Sequence, residues 1–298
     1  MNLTRTQFDI LSFPEQQNDG ENLRQEEIAA VTGHSAETIE KTITHLKEKG
    51  FIENCNLTDA GKNALEPYRV KRAVFIAAGF GSRLVPITFN TPKPLVRVNG
   101  VRIIDTLLDA VCAAGIGEII IVRGYLSEQF DQLKYKYPNI QFIENPIYNE
   151  SNNISSAMCA RFLLQNAYVL ESDLLLKKPA LISKYQYASN YLGVPVELTD
   201  DWCFETNRKI ITRLKVGGTN CHHMFGISFW SQTDGAKLAE HIKQVYQMPG
   251  GKERYWDQVA LEYFVKDYAV EVRECSFDDI IEIDTLNELR NIDENYKL

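Results

Sequence analysis

Between residues 72 and 172, short apolar runs alternate with amphipathic segments, and this alternation constrains the fold more than any other feature. The apolar runs are AVFIA (73–77), EIIIV (118–122), IQFI (140–143) and YVLES (168–172). The segments between them have the apolar spacing of helices, at 103–114, 127–136 and 153–165. Such alternation predicts right-handed crossovers and a mostly parallel, Rossmann-like α/β sheet that is covered on both faces.

A glycine-rich loop, AAGFGSRLVP (77–86), follows the first of these strands. In parallel sheets ligands bind beyond the carboxyl ends of the strands, where Asp173 also lies. The loop lacks the third glycine of a dinucleotide motif and the Lys-Ser/Thr pair of a Walker loop. What remains is a glycine turn whose backbone N–H groups can hold a triphosphate, with Arg83 and Lys93 adding positive charge.

Two cations beside a nest of amides suit attack on an α-phosphate, because charge grows on the phosphoryl oxygens and on departing pyrophosphate. A G-x-G pair alone is more often a tight turn without a ligand. The longer pattern AAG-x-G-S-R-L-x-P-x-T, followed by PKPL (92–95), resembles the signature of nucleotidyltransferases that make sugar nucleotides and CDP-alcohols. In that family such residues hold the triphosphate and contact the reacting phosphates, and the matching positions here are Gly79, Gly81, Ser82, Arg83 and Lys93.

Further segments narrow the resemblance to one branch of that family. They are VRGYLSEQFDQLKYKYP, ESDLLL, GISFW, RYWDQVALEYF and FDDIIEIDTLNEL. Over about residues 72–295 the chain is similar to bacterial CTP:phosphocholine cytidylyltransferases, which implies Mg²⁺-dependent transfer of CMP from CTP to phosphocholine. The pattern itself does not read cytosine, so the assignment to CTP depends on the resemblance.

The resemblance also implies three sets of site residues. Those that match the base-recognising positions, or lie near them, are Ala78, Gly79, Gly124, Tyr125, Asn152 and Ser156. Those that match the metal ligands are Asp173, Glu282 and Asp284, and E-x-D on a strand would place the last two carboxylates on one face. Those that match the choline-ammonium pocket are Trp202, Tyr255 and Asp257, since aromatic faces with a carboxylate suit a quaternary cation.

Two alternatives remain open for the function. The first keeps the reaction and changes the acceptor to phosphoethanolamine, 2-aminoethylphosphonate or a sugar phosphate. The second is a regulator that senses a nucleotide and binds DNA. The complete set of Lys93, Asp173, Glu282 and Asp284 favours an enzyme, because a sensor does not need a reaction centre.

Residues 1–68 form a separate predicted domain ahead of the nucleotidyltransferase domain at 69–298. Phe8 to Phe13 predict a helix that Pro14 ends, Leu23 to Val31 predict a second helix, and Thr38 to Lys49 predict a third. FIENCNLT is strand-like and DAGKNAL is helical. This order resembles a winged helix-turn-helix domain.

The charge of the predicted N-terminal domain bears on its partner. It contains 6 Lys and Arg against 12 Asp and Glu, a net charge of −6. DNA-binding domains usually present a basic surface, so the charge favours self-association, docking or regulation over DNA binding. A homo-oligomer is therefore one expectation.

No run of 18 apolar residues is present, and the N-terminus MNLTRTQFDI lacks the apolar core of a signal peptide. The sequence therefore predicts a cytoplasmic protein that does not bind membranes.

Overall fold

The computed structural model describes residues 2–17, 25–54 and 56–297, and it divides into two compact units. Unit 1 contains Met1–Val70 together with Ser183–Tyr187, and unit 2 contains Lys71–Ile182 and Ala188–Leu298. The sequence analysis places a boundary after residue 68 and does not predict that five later residues belong to the first unit. Within the described ranges, no helix has the length and apolarity needed to cross a bilayer.

In its described residues, unit 1 consists of helices and one short hairpin. The elements are α1 (Arg5–Gln17), α2 (Gln25–Thr32), α3 (Ala36–Glu48), β1 (Ile52–Glu53), β2 (Asn56–Leu57) and α4 (Asp59–Leu65). Helix α3 begins where the Ser35 side chain accepts a hydrogen bond from the Thr38 N–H. Its buried residues Ile39, Ile43 and Leu46 recur at helical spacing and pack into the core of the unit. The assignment to the winged helix-turn-helix class stays a prediction.

Helix α1 is longer than predicted. The sequence predicts that Pro14 ends it, but the helix continues to Gln17 with Pro14 inside it. Proline lacks the N–H that would bond to the Ile10 carbonyl, which costs stability. Ile10 and Phe13 are buried in the core of unit 1, and this packing outweighs the local preference. Leu23, predicted to belong to the second helix, lies outside the described residues.

Residues 183–187 complete the core of unit 1. The Tyr187 ring stacks on the Tyr68 ring with centroids 5.5 Å apart and lies 5.3 Å from the Phe8 ring. Backbone hydrogen bonds to residues 68 and 70 hold the segment in place. A fragment that ends at Val70 therefore lacks part of its own hydrophobic core.

Replacing Tyr187 by alanine is expected to destabilise unit 1 by about 2–4 kcal/mol, because a large ring between two aromatic rings is removed and a cavity remains. Tyr187→Phe keeps the ring and should stay within about 1 kcal/mol of wild type. Thermal unfolding measures the effect, with Tyr135→Ala as the surface control, since Tyr135 is 96% exposed. Equal unfolding temperatures for Tyr187→Ala and Tyr135→Ala would contradict the stabilising role of the segment.

Unit 2 is built on a mixed sheet whose order, in the described chain, is β10-β12-β11-β8-β3-β6-β7. The strands of the unit are β3 (Arg72–Ala77), β4 (Arg97–Val98), β5 (Val101–Arg102), β6 (Glu118–Arg123), β7 (Ile140–Glu144), β8 (Ala167–Glu171), β9 (Leu174–Leu176), β10 (Asn190–Asn207), β11 (Ile210–Trp230), β12 (Glu271–Glu274) and β13 (Ile280–Glu282). Its helices are α5 (Ile103–Ala113), α6 (Ile154–Ala160), α7 (Gln232–Gln247) and α8 (Leu286–Ile292).

The predicted parallel strands form one side of this sheet and end at the edge strand β7. Strands β8, β3, β6 and β7 run parallel to one another in that order. Val74 and Ile76 of β3 pack in one cluster with Ile154 of α6 and Leu238 of α7, so these helices cover one face. The predicted helix at 127–136 is a 3₁₀ helix over Ser127–Tyr135, and the one at 153–165 is α6 followed by a short 3₁₀ turn.

The long hairpin of β10 and β11 is the main feature that the sequence analysis does not predict. The two strands pair antiparallel, with register shifts between Thr199 and Thr206. Strand β11 also pairs antiparallel with β8, whereas β10 pairs parallel with β12. The hairpin therefore extends the sheet from β8 to the edge formed by β10. Trp202, which belongs to β10, lines a cavity of unit 2.

Candidate active site

The loop after β3 makes a turn that glycine adopts readily. Gly81 has a φ of 68°, in the left-handed region, and a Cβ there would lie 2.9 Å from the Lys93 Cβ. The Thr88 hydroxyl donates to the Gly81 carbonyl at 3.0 Å, which closes the loop on itself. Ser82 and Arg83 follow in a short 3₁₀ turn. The predicted triphosphate loop is therefore a compact turn beside Lys93.

A cavity of about 310 Å³ opens beside this loop, and we call it the loop cavity. Of the residues predicted to bind nucleotide, those that line it are Ala78, Gly79, Gly81, Ser82, Asn152 and Ser156. Arg83, Lys93, Asp173 and Asp284 line it as well. The volume is within the range of small-molecule sites.

Gly124 and Tyr125 are not among the residues that line the loop cavity, but both contact residues next to it. The Tyr125 hydroxyl donates to the Thr88 and Phe89 carbonyls at 2.9 and 3.0 Å. A Cβ on Gly124 would lie 2.6 Å from the Tyr148 ring, so the bare glycine makes room for that ring. Tyr148 lines the cavity and is not predicted from the sequence. Tyr125 thus supports the loop, and Gly124 seats Tyr148.

Lys93 lies at the centre of an ion-pair cluster. Its ammonium is 2.7 Å from Asp173 Oδ2 and 2.7 Å from Asp284 Oδ1, and the residue is 8% exposed. Arg83 reaches the other Asp284 oxygen at 2.8 Å. Burial alone would lower the pKa of Lys93, but the two carboxylates outweigh it and hold the pKa above its usual value. Lys93 is therefore a charged ammonium inside the site.

Carboxylates with the spacing of a metal site lie next to this ion pair. Oxygens of Glu171, Asp173 and Glu282 lie within 4.8 Å of one another. Strand β13 pairs antiparallel with β9 so that Glu282 lies opposite Leu174, next to Asp173. In the described part of the chain, Asp173 Oδ1 is buried without a hydrogen-bond partner. A divalent cation that prefers carboxylate oxygens fits this arrangement.

Glu171 is a site residue that the sequence analysis does not select. Burial raises its pKa well above the usual range, and the neighbouring carboxylates of Asp257, Asp173 and Glu282 raise it further. Its carboxylate packs against Gly226 of β11, where any Cβ would overlap it. The GISFW motif therefore contains a glycine that leaves space for an acid on the neighbouring strand.

A second cavity of about 520 Å³ lies beside the first, and we call it the acceptor cavity. Trp202, Tyr255 and Asp257, all predicted to bind the acceptor, line it. The centroids of the Trp202 and Tyr255 rings are 5.5 Å apart and the ring planes meet at 66°, which is an edge-to-face arrangement. The residues shared by both cavities are Ser82, Arg83, Asn153, Glu171, Asp173 and Asp284.

Asp257 is a buried acid that lines the acceptor cavity. It accepts a hydrogen bond from the Tyr191 hydroxyl. Burial raises the pKa of Asp257 to about 7, although the bond from Tyr191 opposes that shift. Burial therefore disfavours the charged form of Asp257, and a cation beside it would favour that form.

Comparison with known proteins shows which proteins this chain is similar to. The family model described as Nucleotidyl transferase matches residues 72–192. A 2-aminoethylphosphonate cytidylyltransferase of Lancefieldella rimae is 33% identical over 228 residues, which are 75% of this chain and 92% of that protein. A choline-phosphate cytidylyltransferase of Streptococcus pneumoniae is 32% identical over 231 residues, which are 76% of this chain and 98% of that protein.

A solved structure shows the same likeness in three dimensions. It is that of a CTP:phosphocholine cytidylyltransferase from Streptococcus pneumoniae. The TM-score is 0.70 at 33% identity, and the match covers 76% of this chain and 99% of the other.

Proposed function

The chain belongs to the nucleotidyl transferase family, and from this premise we propose that it transfers CMP from CTP to phosphocholine, giving CDP-choline and pyrophosphate. The two relatives described above, which each match about three quarters of the chain, are both named as cytidylyltransferases. Phosphocholine is the acceptor named for the structural relative with a TM-score of 0.70.

The observation that carries the proposal is that the two cavities meet at one cluster of charged groups. The loop cavity suits a nucleoside triphosphate, because glycine amides and cations surround it. The acceptor cavity suits a phosphate that also bears a cation, because aromatic rings and an acid line it. Arg83, Asp173 and Asp284 line both cavities, so an α-phosphate and an acceptor phosphate can meet there.

The reaction we propose is a single in-line displacement. An oxygen of the acceptor phosphate forms a bond to the α-phosphorus of CTP, and the bond from that phosphorus to the β-phosphate oxygen breaks. The electron pair leaves with pyrophosphate. Lys93 and Arg83 stabilise the charge that builds up on the transferring and leaving groups. No protein nucleophile is required.

Mg²⁺ is part of this proposal because the donor set fits it. Asp173 and Glu282 would hold the ion, with Glu171 close by and with Asp284 available when its ion pairs open. Carboxylates together with phosphate oxygens and water are the ligands that Mg²⁺ prefers. When bound there, the ion supplies charge neutralisation at the triphosphate.

Phosphocholine differs from phosphoethanolamine and 2-aminoethylphosphonate in its ammonium group, so the protein must distinguish these acceptors mainly by that group. A trimethylammonium cannot donate N–H hydrogen bonds, so aromatic faces such as Trp202 and Tyr255 must recognise it. A primary ammonium needs directed acceptors, and Glu171, Asp201 and Asp257 line the acceptor cavity. These acids support an acceptor with a primary ammonium as the second candidate, and the name of the Lancefieldella rimae relative makes 2-aminoethylphosphonate the one we consider.

Replacing Trp202 by alanine is expected to raise the KM for phosphocholine by about 2- to 30-fold, because one aromatic face is worth about 0.5–2 kcal/mol to a quaternary cation. The KM for CTP should change little. Trp202→Phe is the matched variant, since it keeps an aromatic face. Steady-state kinetics with phosphocholine, phosphoethanolamine and 2-aminoethylphosphonate measure the effect.

Wild-type protein should prefer phosphocholine, and Trp202→Ala should lose most of that preference. A wild-type preference for 2-aminoethylphosphonate would overturn phosphocholine as the acceptor and leave cytidylyl transfer intact. Pyrophosphate release that requires both CTP and the acceptor tests the function as a whole. A protein that binds CTP without any release would instead favour the sensor alternative.

A further inference from the structure

The ammonium of Lys93 donates hydrogen bonds to carboxylate oxygens of Asp173 and Asp284, which are residues that the proposed metal ion would use as ligands. It is 2.7 Å from Asp173 Oδ2 and 2.7 Å from Asp284 Oδ1. The Asp173 oxygen that it does not contact, Oδ1, is buried without a partner in the described chain. Lys93 thus neutralises Asp173 through Oδ2, and an oxygen of the same carboxylate lies within 4.8 Å of oxygens of Glu171 and Glu282.

The charges of the cluster explain why a cation is needed there. The carboxyl groups of Glu171, Asp173, Glu282 and Asp284 lie close together, and among the described residues the cations that pair with them are Lys93, which is buried, and Arg83, which is largely exposed. Carboxylates at such separations repel one another unless a positive charge lies between them. Arg83 contacts Asp284 but has no ion pair with Asp173 in the described residues. Lys93 is therefore the cation that neutralises both aspartates.

We propose that Lys93 is a place-holder cation in the nucleotide-free protein, so that Asp173 and Asp284 become available to a divalent ion only when Lys93 moves to the triphosphate. The inference rests on the proposed function, in which Lys93 contacts the phosphates. Lys93 lines the loop cavity, and a lysine can reorient its ammonium on a flexible four-carbon stem. Phosphate oxygens in that cavity would offer the ammonium new acceptors.

This arrangement couples nucleotide and metal binding. Without nucleotide, a divalent ion must compete with an ammonium that is already in place, so its affinity is low. With nucleotide, the ammonium has left the aspartates and the affinity is higher. Because such coupling is reciprocal, the divalent ion in turn strengthens nucleotide binding. Nucleotide and metal then enter the site together.

The test measures Mn²⁺ binding to the nucleotide-free full chain by isothermal titration calorimetry and by the electron paramagnetic resonance signal of free Mn²⁺. Lys93→Met removes the ammonium and keeps the length of the side chain. We expect it to bind Mn²⁺ at least about tenfold more tightly than wild type, because a competing positive charge is gone. Lys93→Arg keeps a cation and should bind as weakly as wild type.

Two further variants complete the design. Lys93→Gln can still donate hydrogen bonds to the aspartates and serves if Lys93→Met does not fold, as judged by thermal unfolding. Adding Asp173→Asn to Lys93→Met should abolish the gain, which locates the ion at this cluster. Equal Mn²⁺ affinity in wild type and in the folded neutral variants would overturn the proposal.

The Mn²⁺ measurement contains no substrate, so its result can be told apart from the result of the activity assay. A gain in Mn²⁺ affinity without product formation in wild type would keep the place-holder role and refute the reaction. Product formation in wild type, with unchanged Mn²⁺ affinity in the variants, would support the reaction and refute the place-holder role of Lys93.

Discussion

Replacing Lys93 by methionine is expected to lower kcat by about 100- to 1,000-fold, the range found when one group that stabilises transition-state charge is removed. Lys93 is buried beside the loop cavity, and its charge is held by two carboxylates. Among the described residues no other lysine lines that cavity. In the variant, the charge on the phosphates is therefore stabilised only by Arg83 and by water. Pyrophosphate release under saturating CTP and acceptor measures the loss.

The control for this variant is Lys136→Met. Lys136 forms a surface ion pair with Asp109, and both side chains are about half exposed. Such pairs contribute little to stability, so Lys136→Met should keep wild-type turnover. Near-normal turnover in folded Lys93→Met would show that the lysine of PKPL does not act on the reacting phosphates.

Replacing Asp173 by asparagine is expected to raise the Mg²⁺ concentration for half-maximal activity by more than about tenfold and to lower kcat. Asparagine keeps the size of the side chain and one oxygen, but it removes the negative charge that a divalent ion requires. Asp173 is the acid common to the Lys93 ion pair and to the carboxylate cluster with Glu171 and Glu282. Removing the charge of Asp173 therefore weakens both the ion pair with Lys93 and the proposed metal site.

Activity as a function of Mg²⁺ concentration measures this effect, and Asp109→Asn is the matched surface control. Since Lys93 also loses a partner in Asp173→Asn, thermal unfolding must show that the variant is folded. An unchanged Mg²⁺ titration in the folded variant would place the metal at another site.

The parallel strands of the sheet could be predicted because their pattern is local. Each of β3, β6, β7 and β8 is a short run dominated by apolar residues, and Gly or polar residues mark its end. Parallel strands that are buried on both faces, such as β3, β6 and β8, have this pattern wherever they lie in the chain, whereas the edge strand β7 is only partly buried. The glycine loop follows from the same reasoning, since it comes directly after β3.

The β10–β11 hairpin could not be predicted in this way. Its strands are 18 and 21 residues long, and each is continuously buried at one end and irregularly buried over the rest. Register shifts near Trp202 break the period of two on which a strand prediction depends. The turn between the strands, Arg208 and Lys209, has positive φ at both residues without a glycine to announce it.

Two features of the site depend on residues distant in sequence. Glu171 can lie in the site because Gly226, on a neighbouring strand, leaves space for its carboxylate. Tyr148 lines the loop cavity because Gly124 has no side chain. Neither pairing has a local signal, so single-sequence reasoning selects Gly124 as a ligand contact and passes over Glu171 and Tyr148.

Unit 1 shows the same limit. The pattern of residues 4–66 indicates helices and a hairpin, but it contains no sign that Tyr187 belongs to their core. That contact joins residues more than 100 positions apart, Tyr68 and Tyr187. Boundaries inferred from local pattern therefore miss the segment at 183–187.

The most direct test of the account is phosphorus NMR of the full chain with CTP, Mg²⁺ and one acceptor at a time. With phosphocholine we expect CTP to be consumed, and CDP-choline and pyrophosphate to appear in equal amounts. Phosphoethanolamine and 2-aminoethylphosphonate serve as parallel acceptors, and UTP in place of CTP serves as the control for the base. CTP that stays intact with all three acceptors, in protein that binds CTP, would contradict the account.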